Sequence, residues 1–424
     1  MNYPDSVEFL YSLGNEVKTA KLGLERIQAV LHALGNPERS FASIHVAGTN
    51  GKGSTCAMIE AALRAAGYRT GLFTSPHLVE PTERIQLAGR QVEKEAFATA
   101  FDVVHRTAEE LLAQGVIDLH PTYFETVTAM AFWLFREMRI DYAVVEVGLG
   151  GRLDATNVIQ PQLAVITPVD YDHEAWLGHR LEQIAAEKAG ILKPGIPAVI
   201  APQQQAARAV IDERARRLDS PLTYAESYPI CFSTVTAYGS SFDLHLGNDR
   251  LRIRCPLAGE HQVHNARTAA IALHLLGLSG ADIVGGLART CWPGRLERVA
   301  RSPDIILDGA HNPAGVRALA AYIARFFPDR PVWLIYGAMR DKALGEIAEI
   351  LFPLAQRLIF TRARSPRAVD PQALAQLTDQ PSVCTSGVEE ALQLVRTAPE
   401  DAVVFITGSL YIVGEARALL CAGR

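Results

Sequence analysis

Short apolar, β-branched runs alternate with amphipathic stretches almost from end to end, and this alternation limits the fold of the 424-residue chain more than any other feature. Phe41–Ala47, Arg69–Phe73, Tyr142–Val147, Leu163–Thr167 and Ala198–Ala201 are brief, apolar and bounded by turn residues, as buried strands are. Thr55–Ala66, Phe124–Met138 and Leu181–Ala189 carry helical periodicity between them. Strands spaced by helices predict a parallel sheet with helices on its faces, an α/β architecture. At Ser240–Arg254 the texture changes: Phe242, Leu244 and Leu246 alternate with polar residues up to Gly247-Asn248-Asp249. That pattern predicts an antiparallel hairpin at a sheet edge or in a small subsheet. After Trp292-Pro293-Gly294-Arg295 the series starts afresh, with strands expected at Asp304–Asp308, Val332–Tyr336, Arg357–Thr361 and Ala402–Thr407. A Pro-Gly break before a new series predicts a domain boundary near 293–301, with a larger domain over 1–294 and a smaller one over 295–424.

Composition removes several function classes. The six cysteines are scattered without a CxxC pair, against a disulfide framework or zinc cluster. Met1–Leu10 has acidic residues and no apolar centre, unlike a signal peptide. The longest apolar run, Val127–Phe135, is too short to cross a bilayer. A net charge of −5 gives no support for a nucleic-acid partner. The expectation is a reduced, cytoplasmic, monomeric protein without membrane or nucleic-acid partners.

The chemistry begins where the strand Ser43–Ala47 runs into Gly48-Thr49-Asn50-Gly51-Lys52-Gly53-Ser54-Thr55 and a helix follows. Glycines let the backbone curl so that several N–H groups face one anion, and the helix N-terminus adds partial positive charge. Lys52 would reach the β/γ-phosphates of a nucleotide, with a following hydroxyl near Mg²⁺. The spacing departs from GxxxxGK[ST]: Val46 holds the first glycine position and Gly53 separates Lys52 from Ser54. Strand before, helix after and lysine inside make this a phosphate loop rather than an ordinary glycine turn. Further on, Glu146 closes an apolar strand, where a carboxylate either ligates Mg²⁺ or is a solvated strand-end charge. Taken alone, His173 reads as a loop histidine or a ligand, and Lys188 as a surface helix lysine.

Together these segments resemble the folylpolyglutamate synthase/dihydrofolate synthase family of the Mur ligase superfamily. The loop GTNGKGS has the family's form, and matching segments follow in family order: Thr74–Leu78, Thr122–Glu125, Glu146–Asn157, Asp172–Gly178 and Glu187–Ile191. The second half adds Pro293–Glu297, Asp308–Pro313, Asp341-Lys342 and Thr407–Tyr411. The resemblance runs from about Leu22 to Glu415. It implies a P-loop domain with a small antiparallel subsheet, followed by a smaller Rossmann-like domain. It also implies an ATP-dependent ligase joining L-glutamate to dihydropteroate and to the γ-carboxylate of folates through an acyl phosphate.

Residue roles follow from the same resemblance. Asn50, Gly51, Lys52, Gly53, Ser54 and Thr55, with Asn265, Arg295 and Asp308, would contact ATP. Ser75, Glu146 and His173 would hold Mg²⁺, two ions in all. Lys188, in the family's EKAG segment, would carry a carbamate and so become an anionic ligand. Ser75 with Thr122, Tyr123, Phe124 and Glu125, and Leu153, Asp154 and Ala155, would grip dihydropteroate or folate. Phe124 offers a face for stacking or belongs to the core, and Asp154 bonds a pterin or stabilises a turn. Arg295 bridges nucleotide and acyl phosphate or makes a linker salt bridge. His311, before a proline expected at the first turn of a helix, guides glutamate or is a satisfied loop histidine. Ala155 stands where some polyglutamylation-only members carry Ser, which leans toward two activities.

Three rivals remain: a folylpolyglutamate synthase alone, a murein-precursor ligase and a P-loop kinase or NTPase switch. Only 47 residues precede Gly48, too few for the UDP-binding domain expected of the second. The third should offer a second nucleotide-recognition motif such as NKxD.

Overall fold

A computed structural model describes residues 1–13, 23–247, 249–340 and 342–421; Leu22, Asn248 and Asp341 lie outside the described residues. Eight strands, β1 (Ala42–Ala47), β2 (Thr70–Phe73), β3 (Ile85–Leu87), β4 (Arg90–Gln91), β5 (Tyr142–Glu146), β6 (Leu163–Ile166), β7 (Ala198–Ile200) and β8 (Leu222–Tyr224), form one sheet. Their order is β4-β3-β2-β5-β1-β6-β7-β8. All neighbours are parallel except β2-β3 and β3-β4.

The first five helices are α1 (Tyr3–Ser12), α2 (Glu25–Ala33), α3 (Lys52–Ala65), α4 (Lys94–Ala113) and α5 (Tyr123–Glu137). Alternation along the central strands separates two cores. Ile44, Val46, Leu72 and Val144 face α3 and the helices Glu260–Leu275 and Gly280–Leu287. Phe73, Ala143 and Val145 face the opposite layer, built from α1, α2, α4 and α5. The expected hairpin belongs to a separate antiparallel sheet of β9 (Ile230–Thr236), β10 (Gly239–Leu246) and β11 (Asp249–Cys255) in the order β11-β10-β9. Its Phe242, Leu244, Leu251 and Ile253 join the α3 core.

A second, six-stranded sheet comprises β12 (Glu297–Ala300), β13 (Asp304–Leu307), β14 (Val332–Tyr336), β15 (Arg357–Phe360), β16 (Ser382–Cys384) and β17 (Val403–Thr407). The order is β12-β13-β17-β14-β15-β16, parallel but for the β12 edge. In the first sheet the chain departs from β1 toward both edges, so the loops after β1, β5 and β6 open side by side at the carboxyl ends of adjacent strands. Such a switch point is where open α/β sheets bind ligands.

Candidate active site

The loop after β1 is held against β6 by glycine. Gly48 has φ +149°, and a Cβ there would lie 1.9 Å from Thr167 Oγ1; at Gly51, φ +85°, it would lie 2.5 Å from Asn265 Oδ1. Either substitution would push the loop off its neighbours. Thr49 and Asn50 donate their amides to the Pro168 carbonyl at 2.9 and 3.4 Å. No side chain caps α3, so its first amides face outward toward any anion in the loop. Lys52 Nζ folds back to donate to Thr49 O at 3.2 Å. Ser54 Oγ accepts from Gln262 Nε2 at 3.2 Å, and Gln262 accepts in turn from Asn265 at 3.0 Å. The Thr55 hydroxyl is buried and has no partner among the described residues.

Glu146 stands buried at the end of β5, accepting the Ser75 amide at 3.1 Å. Burial pushes its carboxyl up, and the Lys52 ammonium opposes the shift. His173 follows β6 in a left-handed conformation, φ +53°. Burial brings its imidazole down to about 4, against the pull of Asp172. Lys188 is no surface lysine: it is 5% exposed, and its Nζ donates to Gly48 O at 2.8 Å. Burial, then the charge of Lys52, lowers its ammonium to about 7. The Lys52 charge thus acts on Glu146, His173 and Lys188 alike. A hydroxyl, a buried carboxylate and a neutral imidazole around one phosphate loop make a donor set that fits a divalent cation.

The second sheet brings its own groups to the same place. Asp308, just past β13, accepts the amides of Leu296 and Ala310, both at 3.0 Å. Burial pushes its carboxyl up and the Arg295 guanidinium opposes it; Arg295 is influenced by both Asp308 and Glu146. His311 Nδ1 donates to Gly309 O at 2.7 Å, leaving Nε2 3.5 Å from Asp172. Asn312 caps the helix Pro313–Phe326 and donates to Asn50 Oδ1 at 3.0 Å and Asp172 Oδ2 at 3.1 Å. Asn50 returns a bond to Asn312 at 3.3 Å. Lys342 Nζ reaches Asp172 Oδ1 at 2.8 Å.

Asp172 therefore joins the two halves, a role that reading the chain missed although the residue lies in a matching segment. Burial pushes its carboxyl up, yet the bond to His311 and the charge of Lys342 hold it well below the usual range. A charge pattern gives no sign of a partner 170 residues away. Asp172→Asn removes the carboxylate shared by Lys342, Asn312 and His311, breaking a buried ion pair, and should weaken the contact between the halves by about 3–5 kcal/mol. The expected readouts are a larger scattering radius and a fall in turnover; unchanged dimensions and rate would mean that Asp172 is not the tie.

The segments expected to grip the acid are heavily engaged locally. Thr122 and Glu125 form a capping box on α5, and Glu125 also pairs with Arg26 at 3.1 Å. Tyr123 stacks on Tyr11 at 5.8 Å with the Arg84 guanidinium over its ring. Phe124 is buried against Phe73 and lies over Gly148. Asp154 accepts from the Leu149 amide at 2.8 Å and the Thr156 amide at 3.0 Å, and from the Thr156 hydroxyl. It braces the turn that carries Leu153 and the buried Ala155.

A phosphate loop at a sheet switch point, facing a second α/β unit across a shared crevice lined by charges of both signs, defines an ATP-dependent ligase of the Mur type. Residues 46–273 match the Mur ligase middle domain, and residues 294–410 the Mur ligase glutamate ligase domain. The chain belongs to the folylpolyglutamate synthase/dihydrofolate synthase family. It is 35% identical over 410 residues to the dihydrofolate synthase/folylpolyglutamate synthase of Bacillus subtilis, covering 94% of each chain. With the folylpolyglutamate synthase of Lacticaseibacillus casei it shares 34% over 433 residues, covering 100% of both. The folylpolyglutamate synthase of Mycobacterium tuberculosis solved with ADP and AMPPCP superposes with a TM-score of 0.92 at 33% identity, covering 100% of this chain and 99% of that one. Escherichia coli FolC in complex with DHPP and ADP gives 0.88 at 30%, covering 100% and 98%. No helix among the described residues is long and apolar enough to cross a membrane.

Proposed function

We propose that this protein joins the amino group of L-glutamate to the carboxylate of dihydropteroate, forming dihydrofolate, and to the γ-carboxylate of reduced folates, using ATP at one site. The observation that carries the reading is the convergence of Lys52, Arg295 and buried Glu146 on one loop, to which Asn312 ties the second unit. The division is at 294/295, with nucleotide and acid on the first part and the glutamate-ligase half on the second. A carboxylate oxygen of the acid attacks the γ-phosphorus and ADP leaves. The amine of glutamate then attacks the acyl carbon, expelling phosphate and losing a proton. Lys52, the open amides of α3 and Arg295 stabilise charge on the transferred phosphoryl group. Asn50–Thr55, Asn265 and Asp308 hold the nucleotide. His311 guides glutamate.

Ser75, Glu146 and His173, with a carbamate on Lys188, would hold Mg²⁺, two ions in all. When bound, the metal neutralises charge on the phosphate oxygens. A lysine amine brought down to about 7 is partly neutral near physiological pH, the form that adds to CO₂.

Both acids must bring a carboxylate to the same γ-phosphate, so their pterins sit differently. Ser75, Thr122–Glu125 and Leu153–Ala155 grip the shorter acid, and Asp154→Ala or Phe124→Ala should impair dihydropteroate use about tenfold to a hundredfold more than tetrahydrofolate use. For Asp154→Ala that is the span of one lost hydrogen bond to a charged group, about 1.5–3 kcal/mol, whereas Phe124→Ala removes ring contact rather than a hydrogen bond. Separate assays of dihydropteroate and tetrahydrofolate, each with ATP and glutamate, provide the test. A wild-type protein inactive on dihydropteroate is a folylpolyglutamate synthase only.

A further inference from the structure

On the opposite side of the first sheet from α3, three ligand-type side chains meet away from the phosphate loop. His105 and Glu109 lie one turn apart on α4, and His120 lies in the connection just before the cap of α5. His105 Nδ1 and His120 Nε2 are 3.3 Å apart, with Glu109 Oε1 at 4.0 and 3.8 Å from them.

The protonation pattern favours a cation there. His120 Nδ1 lies 2.9 Å from the Pro121 carbonyl, which can only accept, so Nδ1 carries the hydrogen. In the neutral ring, Nε2 is then a bare lone pair aimed at His105 and Glu109. Metal-bound histidines ordinarily donate their other N–H to a backbone carbonyl in this way. One shared proton can bridge the two imidazoles, but at 4.0 and 3.8 Å Glu109 then bonds to neither ring, whereas a cation engages all three.

The spacing agrees as well. Tetrahedral Zn²⁺ with Zn–N of about 2.0–2.1 Å places neighbouring nitrogens about 3.3 Å apart. Glu109 would have to close by about half an ångström, a small swing for a side chain that is 56% exposed. The imidazoles are themselves largely buried and fixed. Phe9 of α1 packs on both, at centroid distances of 4.6 and 5.6 Å, and Phe101 stacks on His105 at 5.4 Å.

We propose that His105, Glu109 and His120 form a structural site for a borderline divalent metal, with water as the fourth ligand. Two imidazoles and a carboxylate select Zn²⁺, Co²⁺ or Ni²⁺ over Mg²⁺. The bound metal clips α4 to the segment capping α5, and so steadies the Thr122–Glu125 turn from behind.

The test is a titration of chelator-treated, desalted full-length protein with Co²⁺ without ATP, read by the visible d–d absorption of four-coordinate Co²⁺ and by displacement with Zn²⁺. About one equivalent should bind in this form. The band should vanish in His105→Gln and His120→Gln, and Zn²⁺ should bind at least about a hundredfold more weakly to them. In Glu146→Gln the band should persist, separating this site from the one at the phosphate loop. Zn²⁺ should raise the melting temperature of the wild type but not of His120→Gln, while both melt alike in chelator. A wild type without the band, or a band that survives His120→Gln or disappears in Glu146→Gln, would overturn the proposal. Should His120→Gln fail to fold, His105→Gln and Glu109→Gln on α4 decide it by the same readings.

Discussion

Lys52→Ala is expected to lower turnover by about a thousandfold or more while leaving the melting temperature nearly unchanged. Among the described residues the ammonium bonds only to the Thr49 carbonyl at 3.2 Å, in a loop held by backbone bonds to Pro168 and by glycine packing. Little of the fold therefore depends on it. Its charge does reach Glu146, His173 and Lys188, where the γ-phosphoryl group would be transferred. A cation positioned on a transferring phosphoryl group contributes about 10³–10⁵ in rate. Steady-state ADP formation with acid and glutamate present checks the loss, and a folded Lys52→Ala protein turning over at the wild-type rate would remove the phosphate-loop reading.

Lys188 carries the second large effect. If its amine bears a carbamate, Lys188→Ala should cost about a hundredfold to a thousandfold in turnover. Lys188→Arg should be as poor, and Lys188→Glu, which keeps an anion, should retain measurable activity. Because burial lowers the amine to about 7, its neutral form gains as pH rises through that value. Carbamate formation should accordingly fade as pH falls below about 7, when the amine is protonated and cannot attack CO₂. Incubation with ¹³C-bicarbonate should give a carbamate carbon signal in the wild type and none in Lys188→Arg. Full activity in Lys188→Arg would mean that the residue acts as a cation.

Most of the central architecture was legible because buried strands announce themselves. β5, β6, β14 and β17 are apolar but for a terminal Glu146 or Thr407. β1 is buried throughout its last five residues although Ser43 and His45 interrupt it, and each of these strands lies within two residues of its expected bounds. The strands not expected, β3, β4, β8, β9, β12 and β16, are short or lie at partly exposed edges, where side chains have no reason to be uniformly apolar. β9 alone spans seven residues, yet its side chains are exposed or half-buried and its apolar Ile230, Cys231, Phe232 and Val235 do not alternate with polar residues.

The site was legible in part, and for reasons that differ between residues. Glu146 at the end of β5 and the glycine-rich loop after β1 follow from local pattern, since strand, turn and helix succeed one another in the chain. Lys188 reads as a solvated helix lysine from its neighbours, and only the packing of its helix against the β1 loop buries it. Asp172 and Lys342 acquire meaning solely by meeting across the crevice. In the structure Asn50 and Asn312 already bond across the crevice, so any opening must break that pair.

The central claim, amide formation through an acyl phosphate at the loop of Lys52, leaves an atomic trace. The acid oxygen that attacks the γ-phosphorus departs with the phosphate when glutamate displaces it. With dihydropteroate labelled with ¹⁸O in its carboxylate, plus ATP, Mg²⁺ and L-glutamate, each amide formed should release one inorganic phosphate carrying one ¹⁸O. Phosphate free of label while dihydrofolate accumulates, or ATP consumption that does not require glutamate and acid together, would contradict the account.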